Sequence, residues 1–265
     1  MEIIVCIKQV PDPEHLQLDP HTGTIIREGV PTIINAADKH ALELALQLRQ
    51  KNGGRVTAIS MGPPSAAEAL KEALAMGADM AALASDRAFA GADTLATSAT
   101  LVALIHKLKP FDLVICGYSS LDSGTAQVGP QVAAILRIPF FTAVQKADKS
   151  ADIFQVEVVM EDGNLVYETT LPALLTVGRR INRPRGIRLS EAKKARSKEL
   201  LTFDLQSLGL TPDTVGGKGS KLSMVEKIPL SVGKGAEMII GEPEEISGVI
   251  YGKIRNIGLG IQGGI

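Results

Sequence analysis

Four apolar runs along the first half of the chain, Ile3 to Lys8, Arg55 to Met61, Ala81 to Ser85 and Asp112 to Cys116, are each followed by turn-forming residues and then by a stretch of helical period. Runs that are apolar at both parities read as strands buried on two faces. Joining such strands in parallel requires a crossover helix each time. The intervening segments supply those helices. Ala41, Leu42, Leu44, Ala45 and Leu48 fall on one face after Asn35-Ala36-Ala37-Asp38; Gly62-Pro63-Pro64 and a capping Ser65 precede a helix from Ala66 to Met76; and Gly91-Ala92-Asp93 opens a helix from Thr94 to Leu108. This alternation, sustained to about residue 145, predicts an α/β protein with an open, mostly parallel, doubly wound, Rossmann-like sheet covered by helices on both faces.

After Pro139 the period changes. Ile153 to Met160 and Leu165 to Thr170, joined by the turn Glu161-Asp162-Gly163-Asn164, read as an antiparallel hairpin near the sheet edge, with Ala173 to Val177 a further extended segment. A second short hairpin or edge strand is expected at Thr24-Ile25-Ile26-Arg27, beside the turn signal Asp19 to Gly23. Beyond Asn182 the core pattern thins to a basic helix from Glu191 to Leu201, turns at Gly209 and Gly216-Gly217, and a Gly-rich end from Gly258 to Gly264. The expected organisation is one α/β domain over residues 1–189 and a C-terminal arm for partner contacts over residues 190–265.

Charge narrows the partners. With 28 Lys and Arg against 29 Asp and Glu, there is no overall basic field to hold nucleic acid or an anionic membrane. The N-terminus lacks the pattern of a signal peptide and no segment is apolar for long enough to span a bilayer, so a cytoplasmic location is expected. Cys6 and Cys116 end apolar strands and read as buried thiols. His15, His21, His40 and His106 lack metal-ligand spacing, and neither a Walker A sequence nor a GxSxG elbow is present. Chemistry, where there is any, then belongs to a bound cofactor.

In a parallel sheet the strand ends Cys6-Ile7-Lys8, Ser60-Met61-Gly62-Pro63 and Cys116-Gly117-Tyr118 converge on one edge, where small residues let a ligand approach the backbone. The loop from Cys116 to Pro130, rich in Ser and Gly, lies at a strand-to-helix turn suited to phosphate. Thr94, Thr97 and Ser98 place hydroxyls in the first turn of a helix and are assigned to a pyrophosphate, while Asp93 caps it. Asp122 either accepts from a ribose hydroxyl or closes an Asx-turn with Gly124. Lys193, Lys194, Arg196 and Lys198 form either a solvated helix face or a docking surface for an acidic partner.

Several blocks taken together, Val5-Cys6-Ile7-Lys8-Gln9-Val10-Pro11-Asp12, Ala73-Leu74-Ala75-Met76-Gly77-Ala78-Asp79, the loop after Cys116, and Leu171-Pro172-Ala173-Leu174-Leu175-Thr176-Val177 with Asn182-Arg183-Pro184-Arg185, resemble the β subunits of electron transfer flavoproteins over residues 1 to about 210. The resemblance implies a heterodimer with an α subunit that carries a flavin, and a nucleotide in the β subunit's own crevice. That nucleotide is AMP in the simple members and a second FAD, reduced by NADH, in the electron-bifurcating ones. The segment Ser85 to Ser98 resembles the bifurcating kind, so FAD is the expected cofactor and AMP the alternative. Implied partners are a flavin-containing dehydrogenase and a low-potential acceptor such as ferredoxin. By matching motif, the nucleotide contacts implied are Cys6, Lys8, Asn35, Asp38, Met61, Thr94, Thr97, Ser98, Gly117, Asp122, Thr125, Ala126, Gln127 and Val128, and Leu189 falls where the family places a hydrophobic anchor for the dehydrogenase. Two departures stand out. Asn35-Ala36 replaces a common Asn-Pro, and Tyr118-Ser119-Ser120-Leu121-Asp122-Ser123-Gly124 replaces an Arg-Gln-Ala-Ile-Asp-Gly-Asp loop, removing a cation and an acid.

Overall fold

Strands that are apolar on both sides need cover on both sides, and the chain supplies it. The computed structural model describes residues 1–15, 17–18, 25–26, 29–150, 153–222 and 237–256. The turn expected at Asp19 to Gly23 and the Gly-rich end from Gly258 lie outside these; Ile25–Ile26 is a two-residue strand. The main sheet is built from β1 (Glu2–Cys6), β2 (Arg55–Met61), β3 (Met80–Ala84), β4 (Leu113–Gly117), β5 (Phe140–Ser150), β6 (Ile153–Met160), β7 (Gly163–Thr169), β8 (Ala173–Val177) and β9 (Leu200–Phe203). Their order is β7-β6-β5-β8-β4-β1-β2-β3-β9, with antiparallel pairing only at β5-β6-β7. The doubly wound sheet is therefore present as expected.

Side-chain parity divides the core. Ile3 and Val5 of β1 pack with Leu42 and Leu46 of α1 (Ala36–Asn52) and Leu70 and Leu74 of α2 (Ala67–Met76). Ile4 and Cys6 face the other way, toward Leu101, Leu104 and Ile105 of α3 (Thr94–Lys107) and Val132 of α4 (Val128–Leu136). Each fully buried Leu or Ile stabilises by about 1.5–3 kcal/mol, so these two layers hold the sheet rigid between them.

Some elements differ from the sequence expectation. Phe140–Ser150 is a long strand, so the antiparallel unit has three strands; its mixed burial hides the period. Ser65 does not cap α2. A 3-10 turn, Pro64–Ala66, intervenes, and the Ser65 hydroxyl lies against Gln9. Residues after 190 were expected as an arm, yet β9 pairs in parallel with β3, and Leu208 and Val215 are buried in the α3 layer. Helix α5 (Leu189–Ala195) is shorter than the expected Glu191 to Leu201. Lys198 is used internally: its ammonium donates to the Leu74 carbonyl in the last turn of α2 at 3.1 Å and to the Ala78 carbonyl just past that helix at 2.7 Å.

The chain divides into two compact units, one of residues 1–17 and 25–226, the other of residues 18–24 and 227–265. In the second, helix α6 (Pro243–Asn256) carries Glu244 and Glu245 in its first turn and Lys253 and Arg255 in its last, matching its dipole at both ends.

The Asn182-Arg183-Pro184-Arg185 block is bound to the side of α1. Asn182 Nδ2 donates to the His40 carbonyl at 3.0 Å, and Arg185 donates to the buried Glu43 carboxylate through its amide, Nε and Nη2 at 3.1, 2.7 and 3.1 Å. The guanidinium holds Glu43 below the usual carboxylate range despite burial. Arg185→Met should therefore leave a buried charge without its partner. Because Arg185 is itself partly exposed, the expected loss is about 2 kcal/mol, at or just below the range for breaking a buried pair, read as a lowered urea midpoint at pH 7.

Candidate functional site

Helices α1 and α3 leave the sheet on opposite faces, and the strand order turns back between β1 and β4. The C-terminal ends of these two neighbouring strands thus form the switch point at which open α/β sheets hold ligands. A cavity of about 510 Å³ lies there. Among the residues expected at a nucleotide, Cys6, Lys8, Asn35, Asp38, Met61, Thr94, Thr97, Gly117, Thr125, Ala126, Gln127 and Val128 all line it.

Asn35, the residue before α1, holds the far wall. Its Nδ2 donates to the Ser119 carbonyl at 2.9 Å and to Asp38 at 3.0 Å, and its Oδ1 accepts from the Leu121 amide at 3.1 Å. Asp38 is buried and accepts from the Lys8 amide at 2.7 Å. A Cβ on Gly117 would stand only 2.1 Å from Asp38 Oδ1. Glycine is required at that position by close approach. Burial pushes the Asp38 carboxyl up to about 7, against these hydrogen bonds and the nearby Lys8 charge.

The two helix starts at the cavity differ. At α3, Asp93 caps the helix through the Ala96 amide at 2.8 Å and ties down the Lys221 amide at 2.7 Å, so its carboxylate already occupies the end of the dipole. Thr94 Oγ1 donates to Gln127 Oε1 at 2.9 Å and accepts from Gln131, while Ser98 is buried against Gln131 and the Thr94 carbonyl. At α4, no side chain caps the helix: the preceding residue is Gln127, and the turn before it places Gly124 and Ala126 at φ +64° and +55°. A non-glycine residue there is strained. This strained turn brings Gln127, Val128 and Gly129 to the cavity wall.

The family model described as electron transfer flavoprotein domain matches residues 22–208. The electron transfer flavoprotein subunit beta of Clostridium acetobutylicum is 45% identical over 96% of this chain and 98% of its own length. The caffeyl-CoA reductase-Etf complex subunit CarD of Acetobacterium woodii is 44% identical over 96% and 98%, and protein FixA of Azotobacter vinelandii 44% over 90% and 88%.

The chain is an electron transfer flavoprotein β subunit.

Such β subunits pair with an α subunit. In this β subunit Ser98 and Asp122 stand apart from the other expected contacts, because neither lines the cavity. Asp122 does not close the Asx-turn with Gly124. Its carboxylate pairs with Lys8 Nζ at 2.7 Å, and Gly124 donates its amide to the Ser120 carbonyl at 2.8 Å. Lys8 also reaches Ser120 and Ser123, both at 3.4 Å, so it stitches together the loop in which this sequence departs from its relatives. Both partners are substantially exposed, which limits the pair to about 1 kcal/mol or less.

Sequence reading missed Phe89, Leu101 and Leu222, which give the cavity an apolar side. Phe89 sits on a short 3-10 turn without periodicity, and Leu222 arrives from far along the chain. Tyr118, half-exposed, stands at the cavity edge with its amide bound to the Val177 carbonyl. Away from the cavity, Leu189 is 89% exposed at the first residue of α5. Lys193 and Arg196 are exposed beside it, and Lys194 pairs with Glu191 at 2.9 Å. Among the described residues no helix is long and apolar enough to cross a membrane.

Asp38 makes stability depend on pH. Its folded value of about 7 lies above the ordinary 3.8, so between these limits the folded state holds the extra proton and stability falls as pH rises. The expected slope approaches 1.4 kcal/mol per pH unit. In Asp38→Asn this part of the slope should disappear, whatever the variant's absolute stability, in urea titrations from pH 4 to 8.

Proposed function

We propose that this β subunit holds FAD in the crevice between β1 and β4 and, with its α subunit, takes electrons from NADH in the cytoplasm. The bound FAD would supply hydride acceptance and release of electrons one at a time, toward the α-subunit flavin and its dehydrogenase on one side and a low-potential acceptor such as ferredoxin on the other. The residues described above fit a dinucleotide. The observation that carries the reading is the pair of helix starts joined by the Thr94–Gln127 hydrogen bond. Together they form one continuous polar wall, with the uncapped amides of α4 suited to a phosphate and the hydroxyls of Thr94 and Thr97 suited to its neighbour.

The chain's own residues bind and orient. Backbone amides at Val128 and Gly129 offer fixed dipoles, Phe89, Met61 and Leu101 exclude water along one side, and Asn35 fixes the position of the loop that closes the other. A relative named as a subunit of a caffeyl-CoA reductase-Etf complex supports an oxidoreductase acting on a CoA ester as one partner. Leu189 and the exposed cations Lys193, Lys194 and Arg196 are proposed to meet that partner, and the apolar outer residues of the antiparallel unit, Val166, Tyr167 and Met160 among them, suit burial against the α subunit.

A second reading keeps AMP in the crevice as a structural ligand and leaves this chain as scaffold and docking subunit. Support for it comes from Tyr118 to Gly124, which lacks the cation of the family's bifurcating loop.

Cofactor extraction from the purified αβ dimer discriminates the two. Two FAD per dimer are expected; one FAD with one AMP would establish the second reading. For docking, Leu189→Ala should raise the KM for the partner dehydrogenase about tenfold or more, as loss of a central apolar anchor does, with nucleotide content unchanged. An unaltered KM would remove Leu189 from the interface.

A further inference from the structure

Cys6 and Cys116 are the chain's two cysteines, and the fold places them opposite each other in register on neighbouring strands β1 and β4. Both side chains face the α3–α4 layer and both line the cavity. Register partners in a sheet are about 4.8 Å apart. We infer that Cys6 and Cys116 form a vicinal dithiol site for thiophilic trivalent centres, specifically arsenicals, at the base of the crevice.

The chemistry balances without an oxidant. When an arsenoxide meets two thiols, two As–S bonds form, the arsenic–oxygen bond breaks, both thiol protons leave on that oxygen as water, and arsenic stays trivalent. Because the protons depart with the oxygen, the step does not depend on thiolate at equilibrium. That distinction matters here. The neighbouring Cys6 thiol, burial and the Asp38 charge all push the Cys116 thiol up, so reagents that need thiolate should react slowly. The second thiol closes a chelate, which raises the effective concentration at arsenic far above that for a lone cysteine. The arsenic substituent would project into the cavity, so capture and nucleotide binding exclude one another. That competition rests on the nucleotide reading above; capture itself does not.

Phenylarsine oxide added to the nucleotide-free full chain should give one phenylarsenic bridge per chain by intact mass, reversed by 2,3-dimercaptopropanol, while iodoacetamide modifies the native chain slowly. Cys6→Ala and Cys116→Ala, each checked for an unchanged fold by circular dichroism, should each weaken capture about a hundredfold, and saturating AMP or FAD should slow it at least tenfold. No bridge on the nucleotide-free chain, or a bridge that survives either substitution, overturns the dithiol site. Capture that neither nucleotide slows upholds the dithiol and counts against the nucleotide reading of the crevice.

Discussion

The carboxylate of Asp38 lies where β1 and β4 run out of sheet, and the crevice depends on it. Past their last paired residues the two strands separate, leaving amides that must find acceptors away from water. Asp38 accepts from the Lys8 amide just past β1 and lies close against Gly117 at the end of β4, and Asn35 at the same helix start holds the loop that follows. A buried carboxylate is costly, and its raised titration reflects that cost. What it provides is a fixed separation of the two strands, and with it the cavity mouth. Gly117 follows from the same constraint, since no side chain fits between β4 and the Asp38 oxygen.

Helix α1 extends this constraint outward. Its first turn fixes the crevice loop, and its next turns, through His40 and Glu43, fix Asn182 and Arg185. From there the chain passes directly to Leu189 and α5, where Lys198 anchors it on the end of α2. One rigid helix therefore carries both the wall of the proposed nucleotide site and the root of the proposed docking segment. On that reading, the distance between cofactor and partner is set by α1 rather than by flexible loops.

Much of this was legible because strand burial leaves a plain signature. Runs such as Ile3-Ile4-Val5-Cys6, apolar at both parities, require cover on two faces, and a parallel sheet with a switch point follows. The loop from Gly117 to Val128 was legible as a ligand wall from its small residues alone. Other features depend on contacts that sequence spacing does not encode. Phe140–Ser150 alternates too irregularly to betray a strand, and β9 joins the sheet by pairing with β3 over a hundred residues away. Asp122 has the spacing of an Asx-turn, but Lys8 arrives from a distant strand and takes its carboxylate. The basic stretch 193–198 read as one face, although Lys198 turns inward to cap α2.

The charges lining the crevice constrain how it can hold an anion. Lys8 is the one cation among the described lining residues, and it is committed to Asp122; Asp38 and Asp93 also line the cavity. A phosphate bound there must compete with Asp122 for that cation, so backbone dipoles carry more of the attraction, and those of α3 are already taken up by Asp93. The uncapped start of α4 remains. Amides held by a helix need not reorganise when charge arrives, and they retain no counter-charge of their own when it leaves. The strain at Ala126 then has a physical reason: a left-handed residue just before α4 turns the chain so that the helix start faces the crevice, which costs of order 1–3 kcal/mol in backbone strain and is sustained by the packing of Gly129 against Thr176 behind it.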